Sequence, residues 1–243
     1  MNIVLFEGEC RFPRADERYT HIRKVLKKGQ GDSFLAGLVN GSEGTAVITS
    51  VDDKGLSFEF RPERQMRPLY PLSVIVGFPR PIQLKRLLRD LASLGVSSIC
   101  LAETELGEKS YRESSLVSRG AARAALIDGC MQAGGTAVPV LAMSASVADA
   151  IRRVCAPETV PVLLDTVRAD STLIGADFGR VCAERPLALA IGSERGWTDA
   201  ERARFREAGF MVCSMGSRIL RTETAATAAV AIALAKAGFM DGV

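Results

Sequence analysis

The sequence predicts two structural classes in series: a small β-barrel, then an open parallel α/β sheet with helices on both faces. Two observations predict the classes. Residues 1–67 are short runs rich in Val, Ile, Thr and Phe, broken by Asn-Gly, Asp-Asp-Lys-Gly and Gly-Ser turn signals. From residue 73 onward, unbroken apolar runs alternate with amphipathic helical stretches. A third observation places the boundary: "PLYPL" at 68–72 reads as the linker, dividing the chain into domains 1–67 and 68–243.

In the first region the expected strands are "IVLFEG", "DSFLAGLVNG", "GTAVITSVDDKG" and "LSFEFRPE", with one or two helical turns around "DERYTHIRKVLKKG". A barrel of this size folds alone only marginally. In the second region "SVIVGF" is a strand buried on both faces. "PIQLKRLLRDLASLG" is a helix with Pro81 near its start and Gly95 just past its end. Strand "VSSICLA", helix "LVSRGAARAALIDGCMQAGG", strand "AVPVLA" and helix "SVADAIRRVC" follow. "TVPVLLD", "PLALAIG" and "FMVCSMG" are three further buried strands. Between the last two, "TDAERARFREAG" has Thr198 and Glu201 at capping-box spacing and Gly209 at its C-terminal stop. Thr222 is the expected N-cap of a final helix in which eight of residues 225–237 are alanine.

Composition narrows the function classes. The 243 residues are 47% hydrophobic with a net charge of +3, which suits a folded chain and is compatible with an RNA partner. None of the six cysteines forms a CxxC pair, and there is a single histidine, so no zinc site or other metal is expected. The cysteines read as reduced thiols packed like small hydrophobes. No signal pattern opens the sequence, and the longest uncharged apolar run, 224–235, falls short of the about 18 residues of a membrane span. A cytoplasmic location without membrane association is the expectation. No P-loop, nucleophile elbow, paired-carboxylate signature or complete GxGxxG is present.

Ligands of open parallel sheets bind beyond the carboxyl ends of the strands, which directs attention to the residues after "VLLD", "LAIG" and "CSMG". In "AIGSERGWTDAE", Gly192 and Gly196 lie between a strand and a capped helix, where backbone amides favour an anionic group. An ordinary strand–helix turn is the alternative. In "SMGSRILRTETA", Ile219 and Leu220 sit between Arg218 and Arg221, which suits a ligand with flat apolar and anionic parts; solvated arginines are the alternative. In "RYTHIRKVLKKG", Arg18, Arg23, Lys24, Lys27 and Lys28 crowd together as candidate phosphate contacts, with His21 structural or RNA-contacting; a solvated helix face is the alternative.

Taken in order, these segments resemble the ribosomal RNA small-subunit methyltransferase E family, of the SPOUT class. The family's "IGPEGG" loop reads here Ile191-Gly192-Ser193-Glu194-Arg195-Gly196, and its "LGxRILRTETA" reads Met215 to Ala225 with Gly216-Ser217-Arg218-Ile219-Leu220-Arg221-Thr222-Glu223-Thr224 between. "HIRKVLKKGQGD", His21 to Asp32, is similar to an element of the family's PUA-like barrel, and Leu94-Gly95-Val96 also fits. The family's "QSGR" stands here as Gln132-Ala133-Gly134-Gly135, and the lysine and glutamate of its "K.TELGV" helix are absent from Arg89–Val96.

The resemblance implies a PUA-like RNA-binding β-barrel followed by a trefoil-knotted SPOUT methyltransferase domain, working as a homodimer. The slim alanine-rich helix would be tucked through the knot and against a partner subunit. The implied cofactor is S-adenosylmethionine, with Leu163, Leu164 and Asp165 bordering it. Ile191, Gly192 and Gly196 would let backbone approach it, and Met215, Gly216, Ile219 and Leu220 would bracket its adenine. The implied reaction is methylation of uridine N3 in 16S ribosomal RNA or the small ribosomal subunit. Arg218 and Arg221 would hold the uridylate, and Glu194 and Glu223 would accept the proton or orient an arginine. Another RNA target, including ribose 2′-O, and a non-catalytic assembly factor are the competing expectations.

Overall fold

The computed structural model describes residues 2–112 and 120–241. The chain separates into two units, Met1–Pro68 with Ile127–Val138, and Leu69–Leu126 with Pro139–Val243. A single cut in the sequence does not express the return of 127–138 to the first unit.

The first unit contains β1 (Val4–Phe6), β2 (Arg11–Pro13), β3 (Ser33–Leu38), β4 (Glu43–Asp52) and β5 (Gly55–Arg64). They form a mixed sheet of order β1-β3-β4-β5-β2, in which β1 and β3 are parallel and the other pairs antiparallel. The β4–β5 turn is fixed by Asp52, whose Oδ1 accepts from the Lys54 and Gly55 amides, each at 2.8 Å. Side chains from alternate positions meet in an aromatic core. Phe58 contacts Phe6 edge-to-face at 5.2 Å and also packs against Phe12 and Phe34. The strand β2 is not apparent in the sequence, being three residues long and ending in proline. Asp16 caps α1 (Glu17–Thr20) by accepting from the Arg18 amide at 2.8 Å, and a wide π-type turn, His21–Val25, continues it.

The second unit holds β6 (Tyr70–Gly77), β7 (Val96–Ala102), β8 (Val140–Ser144), β9 (Val160–Leu164), β10 (Ser171–Thr172), β11 (Leu187–Ile191) and β12 (Met211–Ser214). Its helices are α2 (Pro81–Ser93), the first part of α3 (Ala121–Ala133) up to Leu126, α4 (Val147–Val154), α5 (Asp199–Glu207) and α6 (Thr222–Lys236). The sheet order is β10-β12-β9-β11-β6-β7-β8, and every pairing is parallel. Strand β11 is buried at all five positions, as its unbroken apolar run requires. Helix α2 buries Leu84, Leu87, Leu88 and Leu91, one face at helical spacing, each worth about 2 kcal/mol of burial. It packs on α6, where Ala226, Ala229 and Ala233 are fully buried, so small side chains allow the approach. The capping box at Thr198 and Glu201 is present, and Gly209 has the expected positive φ of 81°.

Several elements depart from expectation. Tyr70 to Leu72 belong to β6 rather than to a linker, and the β6–β7 register shifts between Tyr70 and Ser73, where Pro71 lacks an amide to donate. Strand β8 begins at Val140, not Ala137, because residues 137–138 are used elsewhere. The Ala137 carbonyl accepts from Cys130 Sγ, and the Val138 amide donates to Asn40 Oδ1. The expected start of α3, 116–119, lies outside the described residues. The N-cap of α6 is Arg221, not Thr222, and it makes no side-chain capping bond. The six cysteines are free, and burial pushes the Cys130 and Cys155 thiols up to about 11.

Candidate active site

Strands β12, β9 and β11 are neighbours and parallel, so their carboxyl ends lie side by side. Three loops leave those ends and enclose a cavity of about 260 Å³. The first begins at Leu164 and Asp165, the second runs from Ile191 to Trp197, and the third from Met215 to Leu220.

Each loop is held by bonds that its own sequence does not reveal. In the second, the Gly196 amide donates to the Ser193 carbonyl at 2.9 Å, closing a tight turn in which Gly196 has φ 72°, the left-handed region that favours glycine. Trp197 Nε1 donates to the Leu164 carbonyl at 3.2 Å and ties the second loop to the end of β9. Thr222 is buried, and its hydroxyl donates to the Gly192 carbonyl at 3.2 Å, tying the start of α6 to the second loop. The third loop turns at Gly216, with φ 100°. In the first, Asp165 is buried; its amide donates to the Cys213 carbonyl at 3.0 Å. Its carboxylate accepts from Arg202 Nε at 2.5 Å, Arg202 Nη2 at 3.4 Å and the Val167 amide at 3.1 Å. The Asp165 hydrogen bond raises the Arg202 pKa above its ordinary value.

Of the residues expected to hold a cofactor, Leu164, Asp165, Ile191, Gly192, Gly196, Met215, Gly216, Ile219 and Leu220 all line this cavity. Leu163 does not line it; it is fully buried in the core with Ala190 and Trp197. The four expected catalytic residues divide. Arg218 and Glu194 line the cavity, whereas Arg221 and Glu223 line a second recess of about 220 Å³ with Arg80 and Gln83. Glu194 borders both, and its Oε1 accepts from the Arg80 amide at 2.9 Å. Trp197, Arg202, Arg80 and Gln83 were missed by sequence reasoning. The single tryptophan beside Gly196 was the one available signal; the Asp165–Arg202 partnership spans 37 residues and leaves none.

The basic candidates of the first unit are not equivalent. Arg18 is committed to structure. It pairs with Asp16 at 2.6 Å, donates to the Leu5 carbonyl at 2.9 Å and stacks 4.4 Å above the Phe12 ring. Its hydrogen bond holds the Asp16 carboxyl below the usual range. Arg23 donates to the Lys28 carbonyl, while Lys24 and Lys27 are exposed and Lys28 is half-buried. His21 Nε2 is buried without a partner among the described residues, and burial lowers the pKa of the ring. Among the described residues no group of three or more His, Cys, Asp or Glu side chains is placed to hold a metal, and no helix is long and apolar enough to cross a membrane.

Residues 65–234 match the model of the RNA methyltransferase domain family, and residues 15–61 that of the RNA methyltransferase PUA domain. The chain is 45% identical to the ribosomal RNA small subunit methyltransferase E of Treponema pallidum (strain Nichols), covering 98% of this chain and 92% of that one. The chain belongs to the ribosomal RNA small subunit methyltransferase E family. Another relative in that family, the methyltransferase E 1 of Borreliella burgdorferi, is 28% identical over 97% of this chain and 98% of its own. The crystal structure of the family member from Neisseria gonorrhoeae, bound to S-adenosyl methionine, shares the fold. Its TM-score is 0.77 at 21% identity, with 97% of each chain covered. The methyltransferase E fold is thus a PUA-like β-domain preceding a parallel α/β methyltransferase sheet.

Proposed function

We propose that the protein transfers a methyl group from S-adenosylmethionine to N3 of a uridine in 16S ribosomal RNA. The observation that carries this reading is the cavity at the carboxyl ends of β9, β11 and β12, lined by the residues on which the family resemblance rests. The lining suits the cofactor: Leu164, Ile191, Trp197 and Leu220 offer apolar wall to a purine, and Glu194 offers negative charge to a sulfonium. S-adenosylmethionine would supply an activated methyl group there.

The remaining work falls to the chain. N3 of uridine lies on the Watson–Crick edge and carries a proton, so the base must be unpaired or extruded before it reacts. The N3–C bond forms as the S–C bond breaks, and the N3 proton passes to a base. Arg218, on the cavity wall, would hold the uridylate and stabilise charge developing on the uracil oxygens. Arg221, one recess away, would hold the adjoining phosphate. Glu194 borders both spaces and is the better placed proton acceptor; Glu223, in the recess alone, would orient Arg221.

In this reading residues 1–67 are a PUA-like RNA-binding domain, with Lys24, Lys27 and Lys28 as its phosphate contacts, and residues 68–243 are the methyltransferase domain. The three loops are the strands of a trefoil knot, two copies pair as a homodimer, and the work takes place in the cytoplasm on 16S ribosomal RNA or the small subunit. The test is transfer from methyl-labelled cofactor to RNA from cells lacking the gene, with the product nucleoside identified by mass spectrometry. Label in 3-methyluridine supports the reading; label only in a 2′-O-methylated nucleoside, or none in RNA, refutes it.

A further inference from the structure

The turn after α1 in the first unit is strained and tied down at once. His21–Val25 closes as a π-type turn through the Leu26 amide, which donates to the His21 carbonyl at 3.0 Å, one residue wider than an α-turn. Lys27 then sits at φ 55°, in the left-handed region that side chains other than glycine rarely adopt. Bonds fasten the turn on both sides. The Lys28 amide donates to the Ile22 carbonyl at 3.1 Å, and the Arg23 guanidinium donates to the Lys28 carbonyl. The Gly29 amide donates to Asp32 Oδ2 at 2.7 Å, and Ile22 is fully buried. Backbone strain persists where its surroundings over-determine it, and it points to a use.

What the turn presents is apolar. Val25 is 65% exposed and Leu26 39%. A lone exposed aliphatic side chain is ordinary. Two neighbours held at the tip of a fastened, strained turn are a built protrusion. Lys24 and Lys27, both exposed, and the half-buried Lys28 surround them, and no ammonium of the three has a partner among the described residues. Residues 18–31 contain no acid. Of the flanking acids, Asp16 is paired with Arg18 and Asp32 holds the Gly29 amide, while Glu17 lies at the opposite end of α1.

Cations around an apolar tip suit a nucleic-acid strand. Lysines take phosphates, and aliphatic side chains enter between bases and partly unstack them. A membrane surface needs a longer apolar face than two side chains. A second copy meeting this patch across a two-fold axis would set the three lysines against their own counterparts. Among RNAs a loop suits the tip better than a continuous duplex, because loop bases can be splayed apart.

We infer that Val25 and Leu26 form a wedge that opens the base stack of looped RNA while Lys24, Lys27 and Lys28 hold the neighbouring phosphates. The inference rests on the RNA methyltransferase reading for the identity of the partner, but it is tested without turnover.

The probe is a short RNA hairpin carrying one 2-aminopurine, whose fluorescence rises on unstacking, moved one position at a time through the loop and its closing pairs. Binding at low salt is electrostatic and needs no particular sequence. At concentrations of the full chain that saturate the hairpin, the wild type should raise the fluorescence at one or two neighbouring positions and leave the others unchanged. Val25→Ser combined with Leu26→Ser should still saturate the hairpin, as followed by anisotropy, and should lose the rise. Lys24→Ala should keep the rise at saturation and lower the slope of log affinity against log salt by about one. The altered side chains are exposed, and unchanged thermal melting reports that each variant is folded. A wild-type chain that leaves the hairpin unbound, or binds it with no rise at any position, would overturn the inference. So would a rise that survives the serine pair, including the case in which that pair disrupts chain–chain association or vesicle binding instead. The rise without methyl transfer would refute the catalytic reading and leave the wedge standing, and methyl transfer without the rise would do the reverse.

Discussion

The hydroxyl of Thr222 donates to the carbonyl of Gly192 at 3.2 Å, joining the start of α6 to the loop after β11 at the wall of the cavity. Helix propensity alone makes Thr222 a capping residue; here the hydroxyl turns away from its own helix and fastens the loop after β11. Thr222→Val keeps the shape and removes the donor, leaving a carbonyl unmatched. The expected result is a loss of about 1 kcal/mol in denaturant unfolding. Cofactor affinity, measured by calorimetry, should fall as well, because the second loop loses its tether.

Among the described residues, Arg202 and Asp165 form the most buried ion pair, with side chains 15% and 3% exposed. Arg202→Ala leaves the Asp165 carboxylate without its cation and should destabilise the fold by about 3 kcal/mol. Adding Asp165→Leu to Arg202→Ala should recover much of that loss, since no buried charge then remains. The non-additivity, read from a double-mutant cycle of unfolding free energies, is the diagnostic.

Glu201 is almost fully buried. Its Oε2 accepts from the Thr198 amide and its Oε1 from the Glu105 amide, both at 2.9 Å, so one carboxylate caps α5 and holds the chain after β7. Glu201→Ala leaves two amides unmatched and should cost about 2–3 kcal/mol, against about 1 kcal/mol for Thr198→Ala. Urea unfolding of the two variants compares them directly.

His21 gives the first unit a pH dependence. Burial lowers its pKa in the folded chain below the ordinary 6.5, so the unfolded chain takes up the proton first as pH falls. The contribution of the neutral ring is fully present above pH 6.5 and is lost as the pH drops toward the folded-state value. The melting temperature should fall with acidification through that range, and less steeply in His21→Phe.

The apolar strands were legible in the sequence because burial on both faces leaves an unbroken run, as in β11, and the capped helix α5 was legible because its start and stop residues are local signals. Strand β10 was not, since Ser171 and Thr172 are polar and exposed and pair only because β12 lies beside them. Nor was the true start of β8, which Asn40 and Cys130 take from the sheet through contacts made across the sequence. The cavity's loops were legible as motifs, and nine of the ten expected cofactor residues line it. What holds those loops was not, because Trp197 to Leu164, Thr222 to Gly192 and Arg202 to Asp165 are tertiary bonds between distant segments. In the basic run at 18–28 the ion pair of Arg18 was not legible for a related reason: its partner, Asp16, lies just outside the run.

The central claim is that the three loops beyond β9, β11 and β12 form one cofactor site. Calorimetric titration of the full chain with S-adenosylmethionine, repeated with Leu220→Arg, tests it most directly. The account expects saturable binding at one site per chain in the wild type and its loss in Leu220→Arg, with both proteins showing the same circular dichroism. No heat of binding in the folded wild-type chain, or undiminished binding in Leu220→Arg, would contradict it.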